Sequence, residues 1–519
     1  LLAGLAAALL ATSAAGAGGL LVPGSRPNVV VIMADDLDEM LLEAAVSAGF
    51  MPVFEQTFLA AGTRMTNGFV TNPLCCPSRA TFLTGQYSHN HGVLTNEPPY
   101  GFGAFDDSST LATWLTDAGY LTGFVGKYLN GYWGRKDLDG DGRYTPPGET
   151  RYVPPGWHHW QGLVDPTTYD VYGYYILNGV TASAEWYPDR YQTEVLAEKA
   201  AAFIDAVEMQ DDASPFFLWV STLAPHAERS VETLVCTIDT GSRLVSINTI
   251  RAAPQYIGTA SGSILPKTAS FNETNLDDKP VWLRNFASRQ LNAQDVACIE
   301  QDFRSRLESL RSVDDLLGEV LAALERNGET NTTVIVFISD NGYLYGQHRL
   351  TQKLYVYEEA IKVPFYVRDL SVATARSEDL AVLMNDFAPT IAELAGATPG
   401  LAVDGRSFLP LFADERPAAW RKRFLVEHYF GFVPNYAAIR GVAGSRFLYV
   451  EYKPPGAQGN GWGGCDPGLC ELYWLDGDPH QNHSQHEAPQ TQGIIAGLET
   501  LLLGLRFCAD GMCRSIEDQ

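Results

Sequence analysis

The stretch Asn28-Val29-Val30-Val31-Ile32-Met33-Ala34-Asp35-Asp36 joins a continuous apolar, β-branched run to two adjacent carboxylates. A run without polar alternation reads as a strand covered on both faces, as in a parallel sheet. Similar runs recur at 121–125 (LTGFV), 216–220 (FFLWV) and 334–338 (VIVFI), with a shorter one at 363–367 (VPFYV). Helical patterns lie between them at 194–208 and 303–326, the second with leucines and valines at three-to-four spacing from Leu307 to Leu324. Buried strands separated by amphipathic helices predict an α/β fold, a large domain whose mostly parallel central sheet is flanked by helices.

The character changes near 412–422 (FADERPAAWRK). Beyond it, 424–430, 436–442, 446–452 and 471–475 read as short strands at hairpin spacing, followed by a Leu-rich helix at 491–506. The expected organisation is a leader over 1–22, a catalytic α/β domain over 23–415 and a smaller C-terminal α+β domain with an antiparallel sheet over 416–519. The stretch 229–280 has little periodicity and is expected to wander over the surface.

Composition sets outer limits. The chain has 519 residues, 46% apolar and 19% charged, which suits a large folded core. A net charge of −25 argues against a nucleic-acid binder, which needs a basic face. Residues 1–19 are small and apolar with no charge before Arg26, which suits a truncated secretory signal peptide. That stretch is too weakly apolar for a span, and no other segment suits stable membrane insertion. Asn272, Asn331 and Asn482 each begin an N-x-S/T acceptor triplet, so a secreted glycoprotein is expected. Delivery could end outside the cell, in the periplasm or wall, or in a lysosome. Of the eight cysteines, Cys465 with Cys470 and Cys508 with Cys513 could each close a short loop, and Cys236 with Cys298 is left by elimination.

The chemistry begins at strand ends. Ligands in open α/β sheets gather at the carboxyl ends of strands, and adjacent carboxylates there repel unless a cation or hydrogen bonds offset them. Asp35-Asp36 follows the first strand and Ser339-Asp340-Asn341-Gly342 follows the run 334–338. Oxygen donors without an accompanying His/Cys cluster favour a hard cation, Ca²⁺ or Mg²⁺, over zinc.

Between them lies Asn72-Pro73-Leu74-Cys75-Cys76-Pro77-Ser78-Arg79-Ala80-Thr81-Phe82-Leu83-Thr84-Gly85. This resembles the signature of the sulfatases, members of the alkaline phosphatase superfamily: C-x-P-S-R, then a helix and T-G. Gly126-Lys127-Tyr128, Ala224-Pro225-His226, Asp340-Asn341-Gly342, Gln347-His348 and Lys353 follow in the family's order along nearly the whole chain. Phe271-Asn272-Glu273, Asp278-Lys279-Pro280 and Ser312-Val313-Asp314-Asp315 most resemble the branch of N-acetylglucosamine-6-sulfatases and secreted green-algal arylsulfatases.

The resemblance implies hydrolysis of an aryl or sugar sulfate ester. It implies that Cys75 is oxidised to formylglycine by a formylglycine-generating enzyme, and that one Ca²⁺ is held by Asp35, Asp36, Asp340, Asn341 and an oxygen of modified Cys75 or of the sulfate. Arg79 would steady the nucleophile, Lys127 and Lys353 would neutralise sulfate oxygens, Asp340 would take a proton during attack, and His226, with Lys353, would serve the leaving group. One position departs from the family: many members have His two residues after the Lys at 127, where this chain has Leu129, and His348 is the candidate to substitute for it. A phosphate mono- or diester hydrolase and a non-catalytic secreted anion or glycan binder are the competing readings. The net charge favours small substrates or chain ends over long sulfated polymers. Asp137-Leu138-Asp139-Gly140-Asp141-Gly142 begins like a calcium loop but has Gly148 at its twelfth position, which favours a surface turn. The aromatic stretches 157–160 and 169–175 fit either a substrate cleft or a packed core.

Overall fold

Asn28–Ala34 lies at the centre of the molecule, every residue buried. The computed structural model describes residues 19–519 apart from 133–151, 182, 211–213, 230–233, 374, 414–416, 455–463 and 467. Most of the expected leader, the turn 137–149 and the boundary expected near 415 lie outside the described residues. Leu20 and Leu21, within the span expected to be leader, rest against the core.

The central strand pairs in parallel with Thr333–Ser339 on one side and Phe216–Ser221 on the other, and Leu121–Gly126 and His159–Leu163 continue the parallel set. Phe365–Asp369, read from its apolar run as another strand of the sheet, runs antiparallel against Thr333–Ser339. Beyond Phe365–Asp369 at one edge lie Thr63–Met65 and Arg376–Glu378, and at the other edge Tyr174–Asn178 and Ser183–Tyr187 add antiparallel strands that complete a ten-stranded, mostly parallel sheet. These last strands went unread because aromatic and polar residues there alternate irregularly.

Both sheet faces are covered, which is why the strands lack polar alternation. Val29, Val31 and Met33 pack on one face with Phe82 and Leu83 of the helix Cys75–Thr84 and with Phe387 and Ile391 of the helix Phe387–Ala395. Val30, Ile32 and Ala34 pack on the other with Leu196 and Ile204 of the helix Gln192–Gln210 and with Phe303, Leu307 and Leu310 of the helix Ala293–Arg326. That last helix begins ten residues before the apolar pattern does, because Asn292 and Asp295 form a reciprocal capping box. Within 229–280 the structure places a hairpin, Leu234–Asp239 and Leu244–Asn248, joined to the long helix by the disulfide Cys236–Cys298. Cys465–Cys470 and Cys508–Cys513 are also bonded, and Cys75 and Cys76 are free and buried.

The C-terminal strands Arg423–His428, Tyr436–Gly441, Phe447–Tyr452 and Cys470–Trp474 form an antiparallel sheet in that order. Leu498, Leu502 and Leu505 of the helix Gln492–Arg506 pack on it. Polar contacts join this sheet to the α/β body. Buried Arg421 makes a two-pronged pair with Asp386 and reaches Glu517, which also accepts from the Tyr87 hydroxyl at 2.7 Å. His89 Nδ1 lies 2.9 Å from Glu427 of the first C-terminal strand.

The His89–Glu427 pair gives a pH signature. Burial alone would depress the imidazole pKa, but the carboxylate outweighs it and raises it from 6.5 to about 9. Burial pushes Glu427 up, and His89 more than reverses this, so its pKa falls below 4.5. The histidine contribution is present below pH 6.5 and is lost as pH rises through 9, while the glutamate contribution is present above pH 4.5 and is lost at more acid pH. Relative to His89→Gln, the wild type is expected to lose on the order of 2–3 kcal/mol between neutral and strongly alkaline pH. Urea unfolding of both proteins across pH 6–10 measures the difference; parallel stability curves would show that the pair does not contribute this way.

Candidate active site

Four neighbouring parallel strands discharge their next residues at one place. Asn28–Ala34 delivers Asp35 and Asp36, Thr333–Ser339 delivers Asp340 and Asn341, Leu121–Gly126 delivers Lys127, and Phe216–Ser221 runs on to His226. The helix Cys75–Thr84 adds Cys75 in its first turn and Arg79 one turn later. Lys353 arrives on the loop after the short strand Thr351–Gln352. All nine sequence-predicted catalytic and metal residues therefore converge.

The carboxylates are held by specific partners. Asp35 Oδ1 lies 3.4 Å from Cys75 Sγ, and Asp35 Oδ2 accepts from Lys127. Asp36 Oδ1 accepts from Asn341 Nδ2 at 2.6 Å and from Lys353, whose Nζ is also 2.7 Å from Cys75 Sγ. Asp340 Oδ2 accepts from Arg79 Nε at 2.8 Å, and Arg79 Nη1 donates to Lys127 O at 2.7 Å and Ser221 Oγ at 2.6 Å. His226 Nδ1 is 2.6 Å from the Ala227 carbonyl, which directs Nε2 toward Asp36 Oδ2 at 3.6 Å.

The charges distribute unequally. Burial opposes ionisation of Asp35, but Lys127 and its cationic neighbours hold its pKa well below the usual carboxylate range. Burial and the adjacent Asp35 raise Asp340 to about 6. Burial lowers His226 to about 4, so the ring is neutral at neutral pH. Burial and the Asp35 carboxylate push the Cys75 thiol up, so it stays protonated at neutral pH.

A metal ion fits these donors. Asp35, Asp36, Cys75 and His226 each offer an atom within 4.8 Å of the others. Asn341 Oδ1 is buried with no hydrogen-bond partner, an oxygen that a cation would satisfy. Cys75 is among the expected ligands, and His226, expected at the leaving group, also reaches the cluster from a distant part of the chain. The oxygen donors still dominate.

Two glycines permit the convergence. At Gly126, with φ +116°, a Cβ would stand 1.9 Å from Ser221 O, and at Gly342 it would stand 2.1 Å from Glu359 O. Asp36 itself has φ 62°, a left-handed backbone that costs a non-glycine residue energy. Its N–H donates to Asp340 Oδ1 at 3.1 Å, and its carbonyl accepts from Arg306 Nη2.

Sequence reasoning missed three contributors. Arg306 is fully buried, with Nε 2.8 Å from the Tyr345 hydroxyl and its guanidinium 4.0 Å from the Tyr343 ring centre. Its signal was present: it lies on the buried stripe Ile299, Phe303, Leu310, Val313 and Leu317, where a lone arginine requires an explanation. Tyr169 packs between Lys127, 4.9 Å from its ring centre, and His226, 5.2 Å between rings, whereas Trp160 stacks on Phe124 in the core. The aromatic stretches thus divide between both readings. Ser221, hidden in an apolar strand, had no signal.

His348 does not replace a second site histidine. It is buried with Nδ1 2.7 Å from Glu273 and its ring stacked on Tyr357, and Leu129 is part of the core. Among the sequons, Asn331 is exposed in the turn before a strand, while the Asn272 amide both donates to and accepts from the Leu291 backbone.

The family model described as Sulfatase matches residues 27–397. The chain belongs to the sulfatase family. A second model, N-sulphoglucosamine sulphohydrolase, C-terminal, matches 346–507. N-acetylglucosamine-6-sulfatase of Capra hircus is 33% identical over 423 residues, 80% of this chain and 68% of that protein. An arylsulfatase of Volvox carteri is 33% identical over 78% of this chain and 63% of its own length, so the sulfatase aligns with about two thirds of these relatives. A protein solved in complex with its substrate D-glucosamine-2-N,6-O-disulfate shares the fold at TM-score 0.69, with 21% identity over 92% of this chain and 97% of that one. This is a sulfatase by family, and no described helix is long and apolar enough to cross a membrane.

Arg306 yields the prediction for this site. Replacing it by Met leaves the Asp36 carbonyl unsupported, and divalent-cation affinity is expected to fall about tenfold or more. Calcium titration followed by the shift in melting temperature measures this directly. Unchanged affinity in a folded Arg306→Met protein would mean that Arg306 does not position Asp36.

Proposed function

We propose that this sulfatase cleaves the O-sulfate ester of a sugar or a phenol at residue 75 after conversion of that cysteine to formylglycine, with one Ca²⁺ at the strand-end carboxylates. The observation that supports this most is the position of Cys75. Its Sγ sits between Asp35 Oδ1 at 3.4 Å and Lys353 Nζ at 2.7 Å, while Arg79 of the same helix is locked onto Asp340. A thiol that burial and Asp35 keep protonated is a poor nucleophile, whereas the hydrated aldehyde supplies a hydroxyl. Calcium would be held by Asp35, Asp36, Asp340, Asn341 and an oxygen at residue 75, and supplies positive charge to sulfate oxygens.

The remaining work falls to side chains. Arg79 orients the nucleophile at residue 75 from one turn along the helix. Lys127 and Lys353, engaged with Asp35 and Asp36, have ammonium groups that can neutralise sulfate oxygens. Asp340, its pKa raised to about 6 by burial and Asp35, can take a proton during attack. His226 presents Nε2 toward the leaving oxygen's side with its other nitrogen engaged by Ala227, and Lys353 can supply the proton-bearing group there.

The names of the relatives support a sugar or aryl sulfate as substrate. The wider reading places the chain in the secretory route, glycosylated at its sequons Asn272, Asn331 and Asn482 and matured by a formylglycine-generating enzyme. The three disulfides support an oxidising compartment.

Three measurements test the proposal. Peptide mass spectrometry of the native protein should find the Cys75 peptide lighter by the difference between a CH₂SH and a CHO side chain; an unshifted peptide in active protein would overturn the nucleophile. A calcium chelator should abolish aryl sulfate turnover, and calcium should restore it. A higher kcat/KM for an aryl phosphate than for the matching aryl sulfate would favour phosphate ester hydrolysis instead.

A further inference from the structure

The catalytic site opens through a pocket of about 340 Å³ whose walls include Ser246 and Asn248 of the hairpin and Gln352 and Lys353 of the loop beside it. Gln352 Nε2 donates to Ser246 O at 3.0 Å, which joins the two walls. Both walls continue beyond the pocket into one aromatic cluster. Three residues before Ser246, the Arg243 guanidinium lies 4.6 Å from the ring centre of Phe432 and 5.9 Å from that of Phe286. Two residues after Lys353, Tyr355 meets Phe432 edge-on at 6.4 Å. Phe432 and Phe286 stack at 5.9 Å.

A loop tied to the helix of Cys75 contributes to a second aromatic pair. Asn96 Oδ1 accepts the Cys76 N–H at 3.0 Å, and the same loop carries Tyr100, stacked on Phe430 at 4.8 Å with the rings 7° from parallel. Tyr100, Phe430 and Phe432 are 41–42% exposed, although rings of this size ordinarily bury themselves. Phe430 also holds a left-handed backbone, φ 62°.

We infer that Tyr100, Phe430, Phe432 and Arg243 form a binding rim for the sugar units that follow the sulfated one in an oligosaccharide substrate. The inference rests on the sulfate ester reading and specifies its substrate class. A pocket of this volume lies at the small end for ligand sites and accepts about one ring. The remaining units of a chain leave it across the rim, offering apolar C–H faces to the aromatic rings and hydroxyls to Asn248 and Gln352. No carboxylate pairs with Arg243 among the described residues, so in a chain of net charge −25 it offers a local cation to a uronate or second sulfate. A single-ring aryl sulfate would fill the pocket and leave the rim unused.

The test compares kcat/KM for a 6-sulfated monosaccharide with that for a tetrasaccharide ending in the same unit, in the wild type and in Phe432→Ala, Phe430→Ala and Arg243→Gln. The wild type should prefer the tetrasaccharide, and each variant should reduce that preference, Phe432→Ala by about tenfold. Melting temperatures identify any variant that fails to fold, and the other two then decide. No preference in the wild type, or an unaltered preference in the folded variants, overturns the rim. Turnover of aryl sulfates alone also overturns it while leaving the sulfatase reading intact. If no sulfate ester is hydrolysed, that reading falls separately, and calorimetry with the tetrasaccharide still decides, because equal affinity in wild type and variants removes the rim.

Discussion

Asp35, Asp36 and Asp340 are buried side by side at the ends of two paired strands, and like charges at that spacing repel strongly where water is excluded. Much of the surrounding structure answers this constraint. Arg79, Lys127 and Lys353 come from a helix, a strand end and a loop to oppose them, and Arg306 reaches across from the long helix to Asp36. The carboxylates fix where cations must sit, and the cations in turn fix the helix that carries Cys75. A divalent ion would relieve the same repulsion and release the two lysines toward an anionic substrate.

The fold supplies rigidity where this balance needs it. Parallel strands buried on both faces place successive functional residues within a few ångströms without adaptable loops, and Gly126 and Gly342 allow backbones to pass where a side chain would collide. Asp36 carries a left-handed backbone held by hydrogen bonds on both sides of its peptide units. The periphery is assembled differently. A hairpin tethered by Cys236–Cys298 lines the pocket and meets Phe432 through Arg243, and variation there can alter substrate choice without disturbing the charged centre.

The C-terminal sheet is coupled to the same body through polar contacts. Arg421 with Asp386 and Glu517, and His89 with Glu427, are oppositely charged pairs with little or no solvent access. Such pairs contribute modest net stability but make mis-docking costly, because a displaced partner leaves a buried charge unpaired. His89 lies only a few residues beyond the helix of Cys75 and Arg79, so docking of the C-terminal sheet also steadies the far end of that helix.

The sequence alone was sufficient for the central strands, and the motif resemblance picked out the nine residues of the charged centre. Continuous apolar runs mark strands buried on both faces, and motifs at strand ends survive whatever the loops do. It could not assign Ser221 or Tyr169, because a serine in an apolar strand and a tyrosine among tyrosines look like packing residues until their neighbours are known. Arg306 stood in plain view on a buried helix stripe, yet its partner, the Asp36 carbonyl, is 270 residues away. His348 shows the converse: its place in the motif order suggested the site, but burial against Glu273 and Tyr357 set it elsewhere. Local sequence encodes which residues emerge from a strand, since that depends on periodicity. Which side chains then meet depends on long-range register and helix packing, and only the tertiary structure decides it.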